Sequence, residues 1–309
     1  MADFGKSFHS RSRTSASISR RSTRYVNISS KSWALEKKWG KSNVIIVPLG
    51  KRRVPANMLS GITHAHSTYS FDGSLALSDL QCFLTDSRVD FCLMSEHVES
   101  LDYETIKRML TDYAALPTTG CLMIPGIEID DLHILIYGVT AIRPYMGIED
   151  LAAQMFQDGA LVFVSHPVKV KGTVPAVILP WLTGVEIWNT RYDGRGAPRP
   201  WNLKLWAELQ REHGPLQPLA GVDFHKPSDL SHVRVEVDCG KDPGAILKSI
   251  AAGNYSLSSS GKKLDPQRLV GAPSFATFVF DLAVAINRKL NKLPFRIPRS
   301  LKRAVKKCV

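Results

Sequence analysis

Six short segments of the 309-residue chain set histidine or an isolated carboxylate among apolar neighbours. In order they are His64-Ala65-His66, Asp72-Gly73, Glu96-His97, Gly126-Ile127-Glu128 with His133 close behind, Ser165-His166-Pro167, and Asp223-Phe224-His225. Imidazole and carboxylate are the ligand types that hold Zn, Mn or Fe in hydrolytic sites. Six of the nine histidines (His64, His66, His97, His133, His166, His225) and three carboxylates (Asp72, Glu128, Asp223) exceed what one ion needs. The set predicts two or three divalent ions, Mn, Fe or Zn, and a metal-assisted hydrolase.

Taken singly, each motif is weak. Residues i and i+2 of a strand share a face, so His64 and His66 can serve one ion, and so can Asp223 and His225. Two exposed histidines on a strand would look the same. His166, directly after Leu161-Val162-Phe163-Val164, has the look of a satisfied residue at the edge of a core. Glu128 stands in an apolar setting, where a carboxylate is costly unless paired or metal-bound. Repetition carries the weight, because five successive strand ends terminate in His, Glu or Asp.

The positioning elements follow from hydrophobic patterning. Strands are expected at 44–47, 62–66, 91–94, 122–124, 133–139, 161–164, 185–187 and 219–222. Helical patterns cover 75–87, 103–116, 148–157 and 203–213. Strands alternating with helices imply parallel pairing and an α/β layer architecture. The candidate ligands fall at or just after the C-terminal ends of strands, where a β/α barrel places its active site. No internal repeat is visible.

Composition fits a soluble globular protein, with 44% hydrophobic and 22% charged residues. No run approaches the roughly 18 apolar residues of a membrane span, and no secretory signal opens the sequence. Five scattered cysteines, none in a Cys-x-x-Cys pair, argue against a disulfide framework and for a reducing, cytoplasmic setting. The net charge of +12 is uneven. Residues 1–55 carry +11 and residues 288–309 carry +9, leaving an acidic body of −8.

Three regions are therefore expected: a basic, Ser/Arg-rich and disordered extension over 1–42, a catalytic unit over 43–260, and a basic amphipathic helical extension over 261–309. In the last, Phe275, Phe278, Val279, Leu282, Ile286, Leu290 and Leu293 follow helical spacing. The basic ends are either solvated tails or contacts to nucleic acid or to an anionic membrane surface, which would make the protein peripheral to a membrane.

The motifs resemble those of the polymerase and histidinol phosphatase (PHP) superfamily of metal-dependent phosphoesterases. That family shows His-x-His-Thr, Asp-Gly, an acidic-His pair, Pro-Gly-x-Glu, Ser-His-Pro and a late Asp-x-His. Here they read His64-Ala65-His66-Ser67, Asp72-Gly73, Glu96-His97, Pro125-Gly126-Ile127-Glu128, Ser165-His166-Pro167 and Asp223-Phe224-His225. The strand at 184–189 and a closing helix over 246–256 also look like family elements. The resemblance covers about 58–260 and implies a distorted seven-stranded β/α barrel. It implies one ion on His64, His66, Glu128 and Asp223, with Glu128 bridging. A second would take Asp72, His97 and His225, the expected catalytic group, and a third Glu128, His133 and His166. Ser67 in place of Thr, Glu96 in place of Asp, the six-residue step from His66 to Asp72 and the short step from Glu128 to His133 depart from the pattern. They leave a binuclear site open.

The implied function is hydrolysis of phosphate esters, as a phosphatase or phosphodiesterase, by metal-activated water. Its substrate would be a phosphorylated small molecule or an oligonucleotide. Arg191, Arg195 and Asn189 are expected near the substrate phosphate, arginine being suited to bidentate contact, with Lys169 and Lys226 as weaker candidates. Asn189 would orient either the substrate or a ligand. His213 and His232 are read as structural or exposed. The alternatives are a metal-binding regulatory or scaffold module without turnover, and a nucleic-acid-directed exonuclease.

Overall fold

The computed structural model describes residues 25–27, 58–141, 148–169, 173–194 and 196–267. The strand expected at 44–47, Arg195 and the amphipathic pattern of 275–293 lie outside the described residues. The strands in chain order are β1 (Tyr25–Asn27), β2 (Met58–Ala65), β3 (Phe91–Met94), β4 (Glu96–His97), β5 (Leu122–Ile124), β6 (Gly126–Ile129) and β7 (Ile134–Tyr137). They continue with β8 (Leu161–Val164), β9 (Thr173–Pro175), β10 (Gly184–Asn189), β11 (Gln217–Gly221), β12 (Val233–Asp238), β13 (Tyr255–Ser259) and β14 (Lys262–Leu264). The helices are α1 (Leu77–Asp86), α2 (Tyr103–Ala115), α3 (Ile148–Gln157), α4 (Pro200–His213) and α5 (Pro243–Ala251).

The fold is mixed α/β, with two six-stranded sheets ordered β11-β10-β8-β7-β6-β4 and β14-β13-β12-β2-β3-β5, and neither sheet closes on itself. β2, β3 and β5 run parallel, as do β8, β10 and β11. Strands β3, β6, β7, β8 and β10 are buried along their whole length, as expected where both faces of a sheet are covered. Helices supply part of that cover through one apolar stripe each: Leu77, Leu80 and Leu84 on α1, Ile106, Met109 and Tyr113 on α2. Full burial of a side chain such as Leu80 contributes roughly 1.5–3 kcal/mol relative to exposure. Asp102 and Asp242 cap α2 and α5, accepting from the Thr105 and Ala245 amides.

Pairing departs from the expected all-parallel pattern in two places. β7 is antiparallel to both β6 and β8. Only residues 130–133 separate β6 from β7, too few for a parallel crossover, so the chain must turn back. The strands β12, β13 and β14 form an antiparallel meander beside β2, and the helix expected over 246–256 ends at Ala251, with β13 starting at Tyr255. In β12, Val233, Val235 and Val237 face inward and alternate with Arg234 and Glu236, the period-2 signature of a half-buried strand. β1, inside the basic N-terminal segment, pairs antiparallel with β9. No described helix is long and apolar enough to cross a membrane.

Backbone bonds join the two sheets where the ligands gather. Val222 donates to the Thr63 carbonyl, Phe224 to His64, and His66 to Phe224, at 2.8–2.9 Å. The end of β2 and the segment after β11 are thereby held side by side.

Candidate metal centre

All nine predicted ligands converge. Five overlapping groups have ligand atoms within 4.8 Å of one another: His66, Asp72, His97 and His225; His64, His66 and Glu128; His64, His166 and Asp223; Glu128, His133 and His166; and His97, Glu128 and Asp130. The implied third set coincides with one group, the implied second set reappears with His66 added, and the implied first set is divided, Asp223 falling in a separate group from His66 and Glu128. Glu128 belongs to three of the five groups, consistent with a bridging place.

Local backbone does the aiming. Among the described residues, the non-glycine positions with positive φ are His64, Arg88, His133, His166, Asp223 and Ser260, so four of the six are predicted ligands. Such conformations are strained and collect at functional sites. At His64 the β2–β3 register slips between Thr63 and Ala65, a bulge that re-aims a side chain. His64 and His66 converge, ring centroids 5.2 Å apart, through this bulge and not through simple alternation along a strand. Asp223 and His225 likewise lie beyond the end of β11 and face different groups. Asp223 joins His64 and His166, and His225 joins Asp72. His64 and His66 thus fall in one group with Glu128, as expected, although by way of the bulge, whereas the expected pairing of Asp223 with His225 is corrected, the two falling in separate groups.

Four imidazoles have an oxygen close to Nδ1. His64 Nδ1 lies 2.8 Å from Glu186 Oε1, His66 Nδ1 3.3 Å from Ser70 Oγ, His97 Nδ1 2.8 Å from Asp130 Oδ1, and His225 Nδ1 3.0 Å from the Asp223 carbonyl. A proton on Nδ1 satisfies the His64 and His66 contacts and leaves their Nε2 facing the centre. This is the tautomer that metal-ligating histidines adopt when an outer acceptor holds the other nitrogen. His97 Nδ1 lies at ion-pair distance from Asp130 and 3.6 Å from Glu128 without a hydrogen bond, and His225 Nδ1 also faces the donating Nη1 of Arg191. The Nε2 atoms then meet carboxylates: His64 with Glu128 at 3.1 Å, His97 with Asp72 at 3.4 Å, His225 with Asp72 at 2.7 Å. Among the described residues His66 Nε2, His97 Nδ1, His133 Nδ1 and His166 Nδ1 are buried without a hydrogen-bond partner. Buried ring nitrogens without a partner are rare unless something else binds them.

The electrostatics ask for cations. Burial alone would lower the His64 imidazole, but Glu186, Asp223 and Glu128 together raise it well above its ordinary value. Burial would raise Glu128, yet His64 and His166 hold its carboxyl well below the usual range. Burial, together with His64, His225 and His97, pushes His66 well down. Burial, His166 and Lys169 bring His133 to about 4. The carboxylates thus collect positive charge where it is available, and the neutral imidazoles remain free as ligands. Divalent ions fit this donor set, and their binding would displace the His64 proton.

Three further carboxylates, Glu186, Asp130 and Glu96, lie against the predicted ligands or the loops that carry them. Glu186 is fully buried on β10 and holds His64 Nδ1, the His166 amide (2.7 Å) and Asn189 Nδ2 (3.0 Å). Its signal, a lone carboxylate in an apolar strand, was the one that singled out Glu128. Gly221 is required beside it, because a Cβ there would lie 1.8 Å from Glu186 Oε1. Glu96 accepts from the Ser67 amide and hydroxyl, Ser70 Oγ and Tyr113 OH, and burial raises its carboxyl against those donors. Ser70 Oγ in turn takes the His97 amide at 3.0 Å. The acidic residue of the Glu96-His97 pair therefore fixes the loop that carries His66 and Asp72.

Of the expected phosphate contacts, Asn189 is fully buried, with Nδ2 on Glu186 and Asp223 and Oδ1 accepting from the Arg191 and Tyr192 amides. Arg191 is at the mouth, its side chain 40% exposed, with Nη1 2.9 Å from His225 Nδ1 and 3.6 Å from Asp229. Lys169 Nζ sits 4.5 Å over the Tyr192 ring, which packs edge-on against His166. Lys226 is exposed beside the Pro227–Asp229 turn.

No protein-family model matches the chain, and no curated protein does. Solved structures do. A two-domain protein from Bacteroides vulgatus ATCC 8482, containing a predicted PHP-like metal-dependent phosphoesterase, aligns at TM-score 0.50 and 16% identity over 69% of each chain. PsfC from Pseudomonas syringae PB-5123 aligns at TM-score 0.48 and 17% identity, over 70% of this chain and 96% of that one, too loosely to support an argument. The first neighbour's fold and the buried, metal-capable His/Asp/Glu cluster agree with the PHP resemblance of the motifs.

Proposed function

We propose that the chain is a metal-dependent hydrolase of phosphate esters, a phosphatase or phosphodiesterase, using two or three divalent ions (Mn, Fe or Zn). One observation carries the reading: nine candidate ligand side chains from six segments meet in one largely buried cluster, with His64 and His66 turning Nε2 inward. Bound ions would lower the pKa of a water and neutralise charge on phosphate oxygens. Glu128 and Asp223 hold the inner side of the cluster. Asp72, His97 and His225 face the opening and are the catalytic group. Arg191 is placed to take a non-bridging phosphate oxygen, and Arg195 is retained as a second candidate from the same loop. Asn189 orients Glu186 and Asp223 and leaves the phosphate to the arginines.

The two sheets are read as parts of one distorted seven-stranded barrel: β2, β3 continued by β4, then β6, β7, β8, β10 and β11. Support comes from the single residue, Ser95, between β3 and β4, and from the backbone bonds linking β2 to the segment after β11. The catalytic unit is taken as 43–260, although β14 extends its sheet to Leu264. The segments 1–42 and 261–309 are basic extensions, and the site is cytoplasmic, with nucleic acid or an anionic membrane as candidate contacts of those extensions.

The test is metal analysis with turnover of phosphomonoesters, nucleotides and short oligonucleotides in the presence of Mn. His166→Ala and Asp223→Asn should each lower turnover by at least about a hundredfold, the scale of losing a metal or an electrostatic stabiliser. Near-normal rates with full metal content would overturn the assignment. Full metal content with no turnover of any ester would instead leave a metal-binding scaffold.

A further inference from the structure

Phe71 is the most exposed large apolar residue described, 73% open to solvent, yet it stands at the mouth of the metal centre. Its ring stacks on the His97 imidazole, centroids 5.0 Å apart and planes 26° from parallel. With one face against His97 and that much surface open, the other face is free. A single exposed aromatic is ordinary on a protein surface, but this one is not loosely held. Ser70, just before it, is buried and bonded to Glu96, His66 and the His97 amide. Asp72, just after it, meets His97 and His225. Gly73 donates to the Ser70 carbonyl and Ser74 to the His225 carbonyl, and a Cβ on Gly73 would collide with the Ser67 carbonyl at 1.9 Å. The turn thus fixes Phe71 on both sides and presents its ring beside the ligands. It also falls within the stretch between His66 and Asp72 that is one residue longer than the shortest PHP pattern.

We propose that Phe71 is a stacking platform that selects phosphate esters carrying a planar aromatic ring on the leaving group, nucleoside phosphates being the probe class. The inference rests on the phosphoesterase reading. In that reaction water adds to phosphorus, the ester P–O bond breaks, and the ring-bearing alcohol leaves with a proton. Phe71 touches none of the reacting atoms. It holds the ring of the departing group while Arg191, in contact with His225, takes the phosphate. A preordered aromatic loses little conformational freedom on binding, and base–aromatic stacking is tolerant of which ring is offered.

The experiment pairs binding with turnover on the Mn-loaded full chain. Adenosine monophosphate and inorganic phosphate are titrated calorimetrically, and kcat/KM is measured for adenosine monophosphate and glycerol phosphate. Wild type should favour the nucleotide in both readouts. Phe71→Ala should cut that preference about tenfold, and Phe71→Trp should keep it. A wild type with no preference, or a Phe71→Ala variant with an unchanged ratio, overturns the platform. An unchanged ratio covers the case in which the substitution merely disturbs His97, since both substrates would then fall together. Nucleotide preference in binding without turnover of either ester would sink the hydrolase reading and leave the platform standing.

Discussion

The inner wall and the mouth of the cluster hold similar side chains in opposite settings. On the wall, the side chains of His64, Glu128, Glu186 and His166 are at most 4% exposed, and each is tied to another member of the cluster. At the mouth, Asp72, Asp130 and Arg191 expose 33%, 38% and 40% of their side chains. A wall residue that loses its partner leaves a buried charge uncompensated, whereas a mouth residue is rescued by water. Changes to the wall should therefore show in metal content and folding, and changes to the mouth in kcat and KM.

The comparison breaks most readily at Glu186. Glu186→Gln keeps an oxygen for the His166 amide but removes the negative partner of His64 Nδ1. Metal affinity should fall about ten- to hundredfold, the usual scale for an outer carboxylate on a ligating histidine. Asp130→Asn makes the same change to His97 at the open side and should cost clearly less. Ion titration of both variants decides, and equal losses would remove the distinction between wall and mouth. Stripping the ions should destabilise the fold by about 2.7 kcal/mol for each ion whose free concentration had stood at a hundred times its dissociation constant. Thermal melts with and without chelator would show it, and unchanged melting would mean that the wall is preformed without cations.

Glu186 also shows where sequence reading stops. The nine candidate ligands were legible because imidazole or carboxylate in an apolar run is a local signal, and the strands beneath them announce themselves by composition. Glu186 carries the same signal on β10, but no histidine neighbours it in sequence to mark it as part of a site. Asp130 had no such signal, since Asp130-Asp131 between two strands reads as an ordinary turn. The bulge at His64 and the left-handed backbone at His133, His166 and Asp223 are set by tertiary contacts, and β-branched or aromatic periodicity does not encode them. The β6–β7 reversal was not expected because the patterning predicts no strand at 126–129; with β6 in place, its connection to β7 is too short for a parallel crossover.

Arg191 sharpens the mouth. A charge-assisted contact to phosphate is commonly worth about 1.5–3 kcal/mol, so Arg191→Ala should lower kcat/KM roughly ten- to hundredfold at unchanged metal content. Arg191→Lys should recover only part of this, because lysine offers no planar fork. Loss of metal in Arg191→Ala would place the residue on the wall side of the comparison, acting through His225 instead of on the substrate.

The smallest effect belongs to a carboxyl outside both regions. Asp193 is fully buried beyond β10, and burial pushes it up to about 7 against the Asn189 amide, Arg199 and Asn202, with Glu186 adding to the rise. Its folded pKa is raised, so the unfolded chain gives up this proton first. The associated stability is full below about pH 4 and is lost as pH climbs through about 7. Between pH 6 and 8 one such group accounts for roughly 1.4 kcal/mol at most, the guanidinium of Arg199 3.1 Å away already having held the rise down to about 7. Asp193→Asn should flatten the pH dependence of the denaturation midpoint by that amount while leaving the ligands in place. If wild type and variant share one slope, Asp193 is ionised throughout, and the network of Asn189, Arg199 and Asn202 holds a full charge behind the wall.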